Sequence, residues 1–259
     1  NKFYYIFSLR IVMYKQKRIA IVFFARSNSK RLKSKLFKKI KQTSILSINF
    51  KLLQNIKYVD EKIVATTTMQ EDDKIVEIAK KHNIKVFRGS EKNVLERFYL
   101  ACKELKNYPD IVVRYCCENP LSSVELIELN IKKIINQNLD LISVLKPSNL
   151  IFGIAPIIMN TKTLNLIFSQ AKNEIYKEHV ENFCFDNPKL FKISYPISKK
   201  KFFFPDTSFS IDTLDDYNRV KNIFKKLNLK FKNYNYLDIL KSFSFFKIFV
   251  NDPKLLDFC

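Results

Sequence analysis

Glycine occurs only twice in the 259 residues, at Gly89 and Gly153. A dinucleotide-binding GxGxxG loop needs three closely spaced glycines, and a Walker A loop needs two glycines followed by Lys and Ser or Thr. The sequence contains neither pattern. If this chain binds phosphate groups, side chains must do much of the work that a glycine-rich cradle of backbone N–H groups does elsewhere.

Histidine is equally rare, with two residues, so a Ser-His-Asp triad or a multi-histidine metal site is not expected.

The five cysteines are odd in number and form no CxxC pair. They are predicted to be reduced thiols, without a disulfide framework or a zinc site. The adjacent Cys116 and Cys117 are interpreted as residues at the end of a strand.

Long hydrophobic runs are also missing, which predicts a protein without membrane insertion. The first residues are partly apolar but carry no small-residue cleavage site, so they are not interpreted as a signal peptide. We expect native translation to start at Met13, and residues 1–17 to be an extension ahead of the domain. Together with the reduced thiols, these features predict a cytoplasmic protein.

Charge, in contrast, is strongly one-sided: 46 Lys and Arg face 25 Asp and Glu, for a net charge of +21. Such an excess raises the possibility of a nucleic-acid-binding protein, whose RNA affinity would fall steeply with salt. Lysine is spread along the chain and accompanied by abundant Asn, Ile and Phe, which is typical of an AT-rich coding sequence. Compositional bias is therefore the favoured explanation, and no specific nucleic-acid partner is expected.

Arginine is informative against this lysine background. The rigid planar guanidinium recognises phosphate and carboxylate in a geometry that lysine cannot copy. Eight arginines occur, and five of them fall between positions 26 and 114. These five are Arg26, Arg31, Arg88, Arg97 and Arg114.

Apolar β-branched runs alternate with amphipathic segments from residue 18 onward, which predicts an α/β fold with a mostly parallel sheet covered on both faces. The predicted strands are 18–25, 61–67, 84–87, 110–116 and 139–145, and the predicted helices are 44–56, 70–83, 91–105 and 122–137. We expect a nucleotide-binding part at 18–146 and an insertion at 147–205. Residues 206–259 are expected to close the same domain with a strand, a helix that Thr213 caps, and a C-terminal helix.

Polar loops follow the predicted strands, and the carboxyl ends of parallel strands form the ligand-binding edge of such sheets. The first loop, residues 25–36, reads "ARSNSKRLKSKL" and carries five basic side chains. The other loops read "TTTMQED", "FRGSEKN", "RYCCENP" and "FSIDT". We expect all five to converge on one rim.

Five segments, in order, resemble the motifs of the cytidylyltransferases that activate sugars as CMP derivatives. The first loop resembles A-R-x-x-S-x-R-L-P-G-K, "DIVVRYCCENPL" resembles R-x-x-x-D-x-P-L, "KEHVENF" resembles R-E-H-V-T-x-Y, and "SFSIDTLDDYNRV" resembles L-x-V-D-T-x-x-D. The segment from "VATTTMQEDD" to "NVLERF" resembles the block between them. The similarity is strongest to the spore coat polysaccharide branch, which is related to the acylneuraminate and Kdo enzymes.

The resemblance implies a nucleotidyltransferase fold of the glycosyltransferase-A-like, three-layer kind. It implies transfer of CMP from CTP to a sugar, usually a sugar acid, with release of pyrophosphate, for a surface polysaccharide or glycan such as lipopolysaccharide. It also implies a Mg²⁺ cofactor and a homodimer, with residues 147–205 serving the sugar and the dimer contact.

The residues at the matched positions suit this chemistry, because phosphoryl transfer needs alignment and charge neutralisation. Arg26, Lys35 and Glu118 are the predicted catalytic residues, and Glu118 and Asp212 the predicted Mg²⁺ ligands. Nucleotide contacts are predicted for Ala25, Arg26, Ser29, Arg31, Lys35, Thr66 and Arg88, and substrate contacts for Arg114, Glu178 and His179. Structural alternatives stay open: Ser29 as a turn cap, Glu118 and Asp212 as solvated acids, Arg88 and Arg114 as loop ties, and His179 as a structural residue.

Two departures from the family pattern mark the site. Lys33-Ser34 replaces Pro-Gly in the first loop, and Cys117-Glu118 replaces Gly-Asp before the x-Pro pair. A degenerate member that only binds a nucleotide is therefore an alternative. A glycosyltransferase of the same fold is a further alternative, although the rim loops lack its usual D-x-D metal motif.

Overall fold

The computed structural model describes residues 14–144, 150–196 and 208–231, together with residues 234 and 239. The expected start at Met13 and most of the predicted C-terminal helix lie outside this part of the chain. Within it, no helix is long and apolar enough to cross a membrane.

A seven-stranded sheet in the order β5-β4-β1-β6-β8-β7-β9 organises the described residues, and β2 and β3 form a separate hairpin. β8 runs antiparallel to both of its neighbours, while all the other pairs in the large sheet are parallel. The strands are β1 (Ile19–Phe24), β2 (Lys39–Ile40), β3 (Thr43–Ser44), β4 (Glu61–Thr67), β5 (Lys85–Gly89), β6 (Ile111–Cys116), β7 (Leu141–Ile142), β8 (Ile157–Asn160) and β9 (Ile193–Ser194).

Six of the eight helices in the described part of the chain begin at a polar residue whose side chain accepts a backbone hydrogen bond from the first turn, as the sequence predicts for Thr213. Thr213 and Asp216 form a capping box, and Ser123 caps the helix that follows β6. The helices are α1 (Ile45–Leu52), α2 (Asp73–Lys81), α3 (Val94–Lys103), α4 (Val124–Asn136), α5 (Thr161–Gln170), α6 (Glu174–Glu178), α7 (Asn182–Asp186) and α8 (Leu214–Lys226). Short 3₁₀ helices span Lys35–Phe37 and Gln70–Asp72.

The core lies on both faces of the sheet because the side chains of a strand alternate between its two faces. In β1 all six residues are buried, and Ile19, Ile21 and Phe23 join one hydrophobic cluster while Ala20, Val22 and Phe24 join the other. The first cluster contains residues of α1, α2, α4 and α8, and the second contains residues of α3 and α5. This arrangement confirms the predicted three-layer α/β fold.

Of the predicted strand ahead of α8, the described residues show only an isolated parallel bridge between Ser208 and Phe152. Residues 209–212 form no ladder with another described segment, because their backbone N–H groups bond to different segments. Phe209 donates to the carbonyl of Phe152, whereas Ile211 donates to the carbonyl of Glu118. The predicted strand 139–145 pairs only at Leu141–Ile142.

Residues 147–205, predicted to be an insertion, supply β8 and β9 to the large sheet. They also contain two short helices, α6 and α7, which are separated by residues 179–181. Whether this segment serves sugar binding and dimerisation stays a prediction.

Candidate active site

A cleft of about 460 Å³ opens at the carboxyl ends of β1 and β6. It brings together nine of the twelve predicted site residues, from four separate parts of the chain. These nine are Ala25, Arg26, Ser29, Arg31, Lys35, Arg114, Glu118, Glu178 and Asp212. Four of the five predicted rim loops therefore contribute to the cleft, whereas no residue of "TTTMQED" lines it.

The segment that follows β1, residues 25–35, forms one wall of the cleft and is called the β1 loop below. It is fixed to the end of β4 through Asp72, whose Oδ1 accepts a 2.6 Å hydrogen bond from the backbone N–H of Ser27. The other oxygen of Asp72 accepts hydrogen bonds from the hydroxyls of Thr66 and Thr67 and from the N–H of Thr67. The sequence predicts only an acid at a helix start here, so the anchoring role of Asp72 is a finding of the structure.

Asp72 is 2% exposed. Burial alone would raise the pKa of its carboxyl group, but the hydrogen bonds from Thr67, Ser27 and Thr66 outweigh burial and lower the pKa. The carboxylate is therefore ionised at neutral pH, and its two oxygens hold the β1 loop in place.

Ser34 lies near the end of the β1 loop, directly before the 3₁₀ helix Lys35–Phe37. Its backbone angles, φ 53° and ψ 29°, are left-handed. Glycine adopts this conformation without steric cost, and the family motif has glycine at this position. Ser34 thus performs the same turn with a side chain. The turn directs Lys35 into the cleft, where the residue is only 9% exposed.

Asp212 is the point where the far end of the domain meets the β1 loop. Its Oδ1 lies 2.9 Å from Lys35 Nζ and 2.9 Å from a terminal nitrogen of Arg31, and its Oδ2 accepts a hydrogen bond from the Ser210 hydroxyl. The Asp212 carboxylate therefore neutralises part of the positive charge of Lys35 and Arg31. A phosphate group or a metal ion that enters the cleft would redistribute these contacts.

Glu118 lines the same cleft. The backbone at Glu118 is joined to the segment that carries Asp212, because the N–H of Ile211 donates a 3.0 Å hydrogen bond to the Glu118 carbonyl. No described residue pairs with the Glu118 carboxylate. No group of three or more His, Cys, Asp and Glu that could hold a metal ion occurs in the described part of the chain.

Two carboxylates with access to one cleft nevertheless fit a Mg²⁺ site, because Mg²⁺ in nucleotide enzymes is commonly held by one or two carboxylates and substrate phosphates. Glu118 and Asp212 would hold such an ion. The ion would supply charge neutralisation at the phosphates.

Two ion pairs join the β-sheet side of the cleft to the segment around α6. A terminal guanidinium nitrogen of Arg26 lies 3.2 Å from a carboxylate oxygen of Glu178, and one of Arg114 lies 3.5 Å from a carboxylate oxygen of Glu181. Burial alone would lower the pKa of Arg114, but the charge of Glu181 raises it. Glu181 is 5% exposed and was not predicted as a site residue, since the family motif has Thr there.

Arg97 is a further cleft residue that the site prediction missed, although it belongs to the arginine cluster that the sequence singles out. It is 3% exposed, its NH1 donates to the carbonyls of Ser90 and Glu91, and its Nε has no hydrogen-bond partner among the residues that the structure describes. Burial, and then the charge of Arg26, lower its pKa to about 10. The guanidiniums of Arg97 and Arg114 lie 5.8 Å and 5.1 Å from the centre of the Phe24 ring, which gives the cleft a cationic inner end.

Three predicted site residues do not line the cleft. Thr66 is fully buried and bonds to Asp72, and His179 is an exposed residue at the end of α6. Arg88 donates to the carbonyls of Thr67 and Met69 and forms a 2.6 Å ion pair with Asp73. The structure thus gives Arg88 the loop-tying role that was one of its two interpretations. Ligand contact by these three residues stays a prediction.

The two adjacent cysteines face different surroundings. Cys116 ends β6, as predicted, and lines the cleft, where burial raises the pKa of its thiol to about 12. Cys117 is completely buried in the hydrophobic core and does not line the cleft. Its side chain, in place of the glycine of the family motif, therefore points away from the cleft.

The comparisons with known proteins agree with this geometry. The family model for cytidylyltransferase matches residues 19–242. An uncharacterized protein of Methanocaldococcus jannaschii is 36% identical over 205 residues, which cover 79% of this chain and 82% of that protein. The spore coat polysaccharide biosynthesis protein SpsF of Bacillus subtilis is 27% identical over 213 residues, with coverages of 80% and 87%.

Among solved structures, a cytidylyltransferase of Leptospira borgpetersenii superposes with a TM-score of 0.80 at 24% identity, covering 92% of this chain and 96% of that one. A CMP:2-keto-3-deoxy-manno-octonic acid synthetase in complex with CTP superposes with a TM-score of 0.58 at 12% identity, covering 81% and 99%. These likenesses establish the nucleotidyltransferase fold. Because the family model spans most of the chain, this protein belongs to the cytidylyltransferase family.

Proposed function

We propose that this protein transfers CMP from CTP to a hydroxyl group of a sugar, with release of pyrophosphate, in the synthesis of a surface polysaccharide or glycan. The observation that carries the proposal is the cleft itself. It joins Arg26, Arg31 and Lys35 of the β1 loop to two carboxylates, Glu118 and Asp212. These are the groups that a triphosphate and a divalent cation require.

In the proposed reaction the sugar oxygen attacks the α-phosphorus of CTP, and the bond from that phosphorus to the departing pyrophosphate breaks. Lys35 and Arg31 meet the phosphates from the β1 loop and neutralise the charge that develops on the leaving group. Arg26 completes this set from the side of β1. No covalent intermediate is needed, and the buried Cys116 thiol is not proposed as a nucleophile.

Mg²⁺ is the proposed cofactor, held by Glu118, Asp212 and the phosphates. The ion would supply charge neutralisation at the phosphates, and Lys35 and Arg31, which pair with Asp212, would be near enough to contact the triphosphate.

A sugar acid is the proposed acceptor, because the inner end of the cleft carries the guanidiniums of Arg97 and Arg114. The relative from Bacillus subtilis is described by its role in spore coat polysaccharide biosynthesis, and the CTP-bound structural neighbour by synthesis of a CMP-linked sugar acid. The first description supports a role in polysaccharide synthesis, and the second supports a sugar acid as the acceptor.

We further infer a homodimer that uses the segment 147–205. Several large apolar side chains on the surface of its described part support this contact. They are Phe152, Phe168, Ile175 and Leu190, each at least 38% exposed. Light scattering after size exclusion tests the inference: a dimer is expected, and its dissociation by Leu190→Lys would identify the segment.

The enzymatic proposal is tested by release of pyrophosphate from CTP in the presence of Mg²⁺ and a panel of sugar acids. Glu118→Gln should lower the rate about a hundredfold or more, because it removes one anionic ligand where charge is neutralised. Glu174→Gln, at an exposed carboxylate of α6, is the matched control and should leave the rate unchanged. CTP binding without pyrophosphate release from any sugar would instead favour the alternative of a degenerate nucleotide-binding member.

A further inference from the structure

A second cleft of about 350 Å³ lies on the other side of the 3₁₀ helix Lys35–Phe37. Its walls are Phe37, the β2–β3 hairpin, one face of α1 and one face of α2 with the following His82. None of the predicted site residues lines it. The 3₁₀ helix thus separates two clefts, with Lys35 in the first and Phe37 in the second.

Among the described residues, the second cleft is lined by four lysines and by no carboxylate. The lysines are Lys39, Lys51, Lys74 and Lys81. None of them forms an ion pair with a described residue. Lysine bias in the composition accounts for many surface lysines. It does not account for a concave surface whose described lining has four lysines and no Asp or Glu, since the chain has 25 acidic residues.

The N-terminus of a helix and several hydroxyl groups also face this cleft. The helix N-terminus adds to the positive potential, and the hydroxyl groups can donate hydrogen bonds to an anion. Thr43, Ser44 and Ser47 line the cleft beside the N-terminus of α1, where the Ser44 side chain accepts the N–H of Ser47. The N-terminal end of a helix carries a partial positive charge that favours anions. Burial and the neighbouring charge of Lys51 lower the pKa of His82, which indicates that cations already crowd this place.

Two apolar side chains also line the cleft and position one of the cations. The centre of the Phe37 ring lies 4.8 Å from Lys74 Nζ, and Ile78 of α2 lines the cleft. An ammonium group held over an aromatic face is attracted to it and is restricted in its motion. Lys74 is therefore partly preorganised for a ligand.

We propose that this second cleft is a binding site for a compact anion that carries several phosphate groups. Lysine binds phosphate as a point charge without a fixed geometry, and the cleft volume lies at the lower end of the range for small-molecule sites, roughly 300–1,000 Å³. The absence of a carboxylate among its described lining residues distinguishes it from the first cleft, where Glu118 and Asp212 balance the cations. The site does not depend on the proposed cytidylyltransferase reaction.

Calorimetric titration with inorganic tripolyphosphate tests the proposal. The site variant replaces Lys39, Lys51, Lys74 and Lys81 by Gln, and the charge-matched control replaces Lys106, Lys162, Lys172 and Lys189, which are exposed elsewhere. Wild type and control should bind two equivalents, one in each cleft. The site variant should retain one equivalent and lose the other, with a weakening of at least about tenfold, or 1.4 kcal/mol.

Equal weakening in both variants would overturn the proposal, because it would show a general effect of net charge. Unchanged binding in the site variant would overturn it as well. A short RNA that binds at these lysines while tripolyphosphate does not would replace the small anion by nucleic acid. Protection of the same lysines from acetylation by tripolyphosphate, measured by mass spectrometry on the wild type, tests the site without relying on a variant.

Discussion

The backbone N–H of Ser27 donates a 2.6 Å hydrogen bond to Oδ1 of Asp72, and this contact joins the β1 loop to the end of β4. The two residues are 45 positions apart in the sequence. Because the same carboxylate also binds Thr66 and Thr67, one buried charge sets the position of the loop that carries the cations of the cleft.

Asp72→Asn is expected to destabilise the protein by about 2 kcal/mol or more, since the amide cannot accept all of these hydrogen bonds and its own N–H groups meet donors. Urea unfolding at neutral pH measures the loss. Asp73→Asn, which affects an exposed pair with Arg88, is the control and should cost less than about 1 kcal/mol. A loss of the same size in both variants would contradict the anchoring role.

The pH dependence of stability should reveal the same carboxylate. The pKa of Asp72 is lower in the folded protein than in the unfolded chain, so its contribution is present above the unfolded pKa. It is lost as the pH falls through the folded pKa. The free energy of unfolding, followed from neutral to acidic pH, should therefore decline less in Asp72→Asn than in the wild type. Parallel curves for the two proteins would contradict this prediction.

Ser34→Gly should stabilise the protein by about 0.5–1 kcal/mol, because a left-handed residue with a side chain is strained and glycine is not. Ser34 makes no side-chain capping hydrogen bond that the substitution would remove. Thermal unfolding measures the gain. Ser169→Gly, the same change inside α5, should destabilise instead. Destabilisation by Ser34→Gly would mean that the loop does not need this conformation.

Glu181→Gln should destabilise the protein by about 3 kcal/mol, because it leaves the buried guanidinium of Arg114 without its counter-charge. The side chains of Arg114 and Glu181 are only 13% and 6% exposed. Glu174→Gln breaks the ion pair with Lys177, in which the Glu174 side chain is 82% exposed. That control should change stability by less than about 1 kcal/mol. Chemical unfolding of the two variants distinguishes a buried pair from a surface pair.

The central sheet could be predicted from the sequence because its strands are continuous apolar runs. β1, β4 and β6 are buried on both faces, so residue type alone predicts them. The segment before α8 could not be predicted in the same way. Its residues favour a strand, but whether a strand forms depends on a neighbouring ladder, and Phe209 and Ile211 bond to different segments.

Much of the site could be predicted from the order of the motifs, because the carboxyl ends of parallel strands meet at one edge. The missed residues Arg97, Glu181 and Asp72 are buried charges, and burial of a charge is decided by tertiary contacts. Asp72 illustrates the difference. Locally it is an acid at the start of a helix, and only the return of the β1 loop makes it an anchor.

We expect the first cleft to bind the triphosphate of CTP through Lys35 and the other cations of the β1 loop. The most direct measurement is calorimetric titration of the wild type, Lys35→Gln and the remote control Lys106→Gln with CTP, UTP, ATP and GTP, each with and without Mg²⁺. We expect Mg²⁺-dependent binding selective for CTP, weakened at least about tenfold by Lys35→Gln and unchanged by the control. Failure of the wild type to bind any of the four nucleotides, or equal binding of CTP by all three proteins, would contradict the claim.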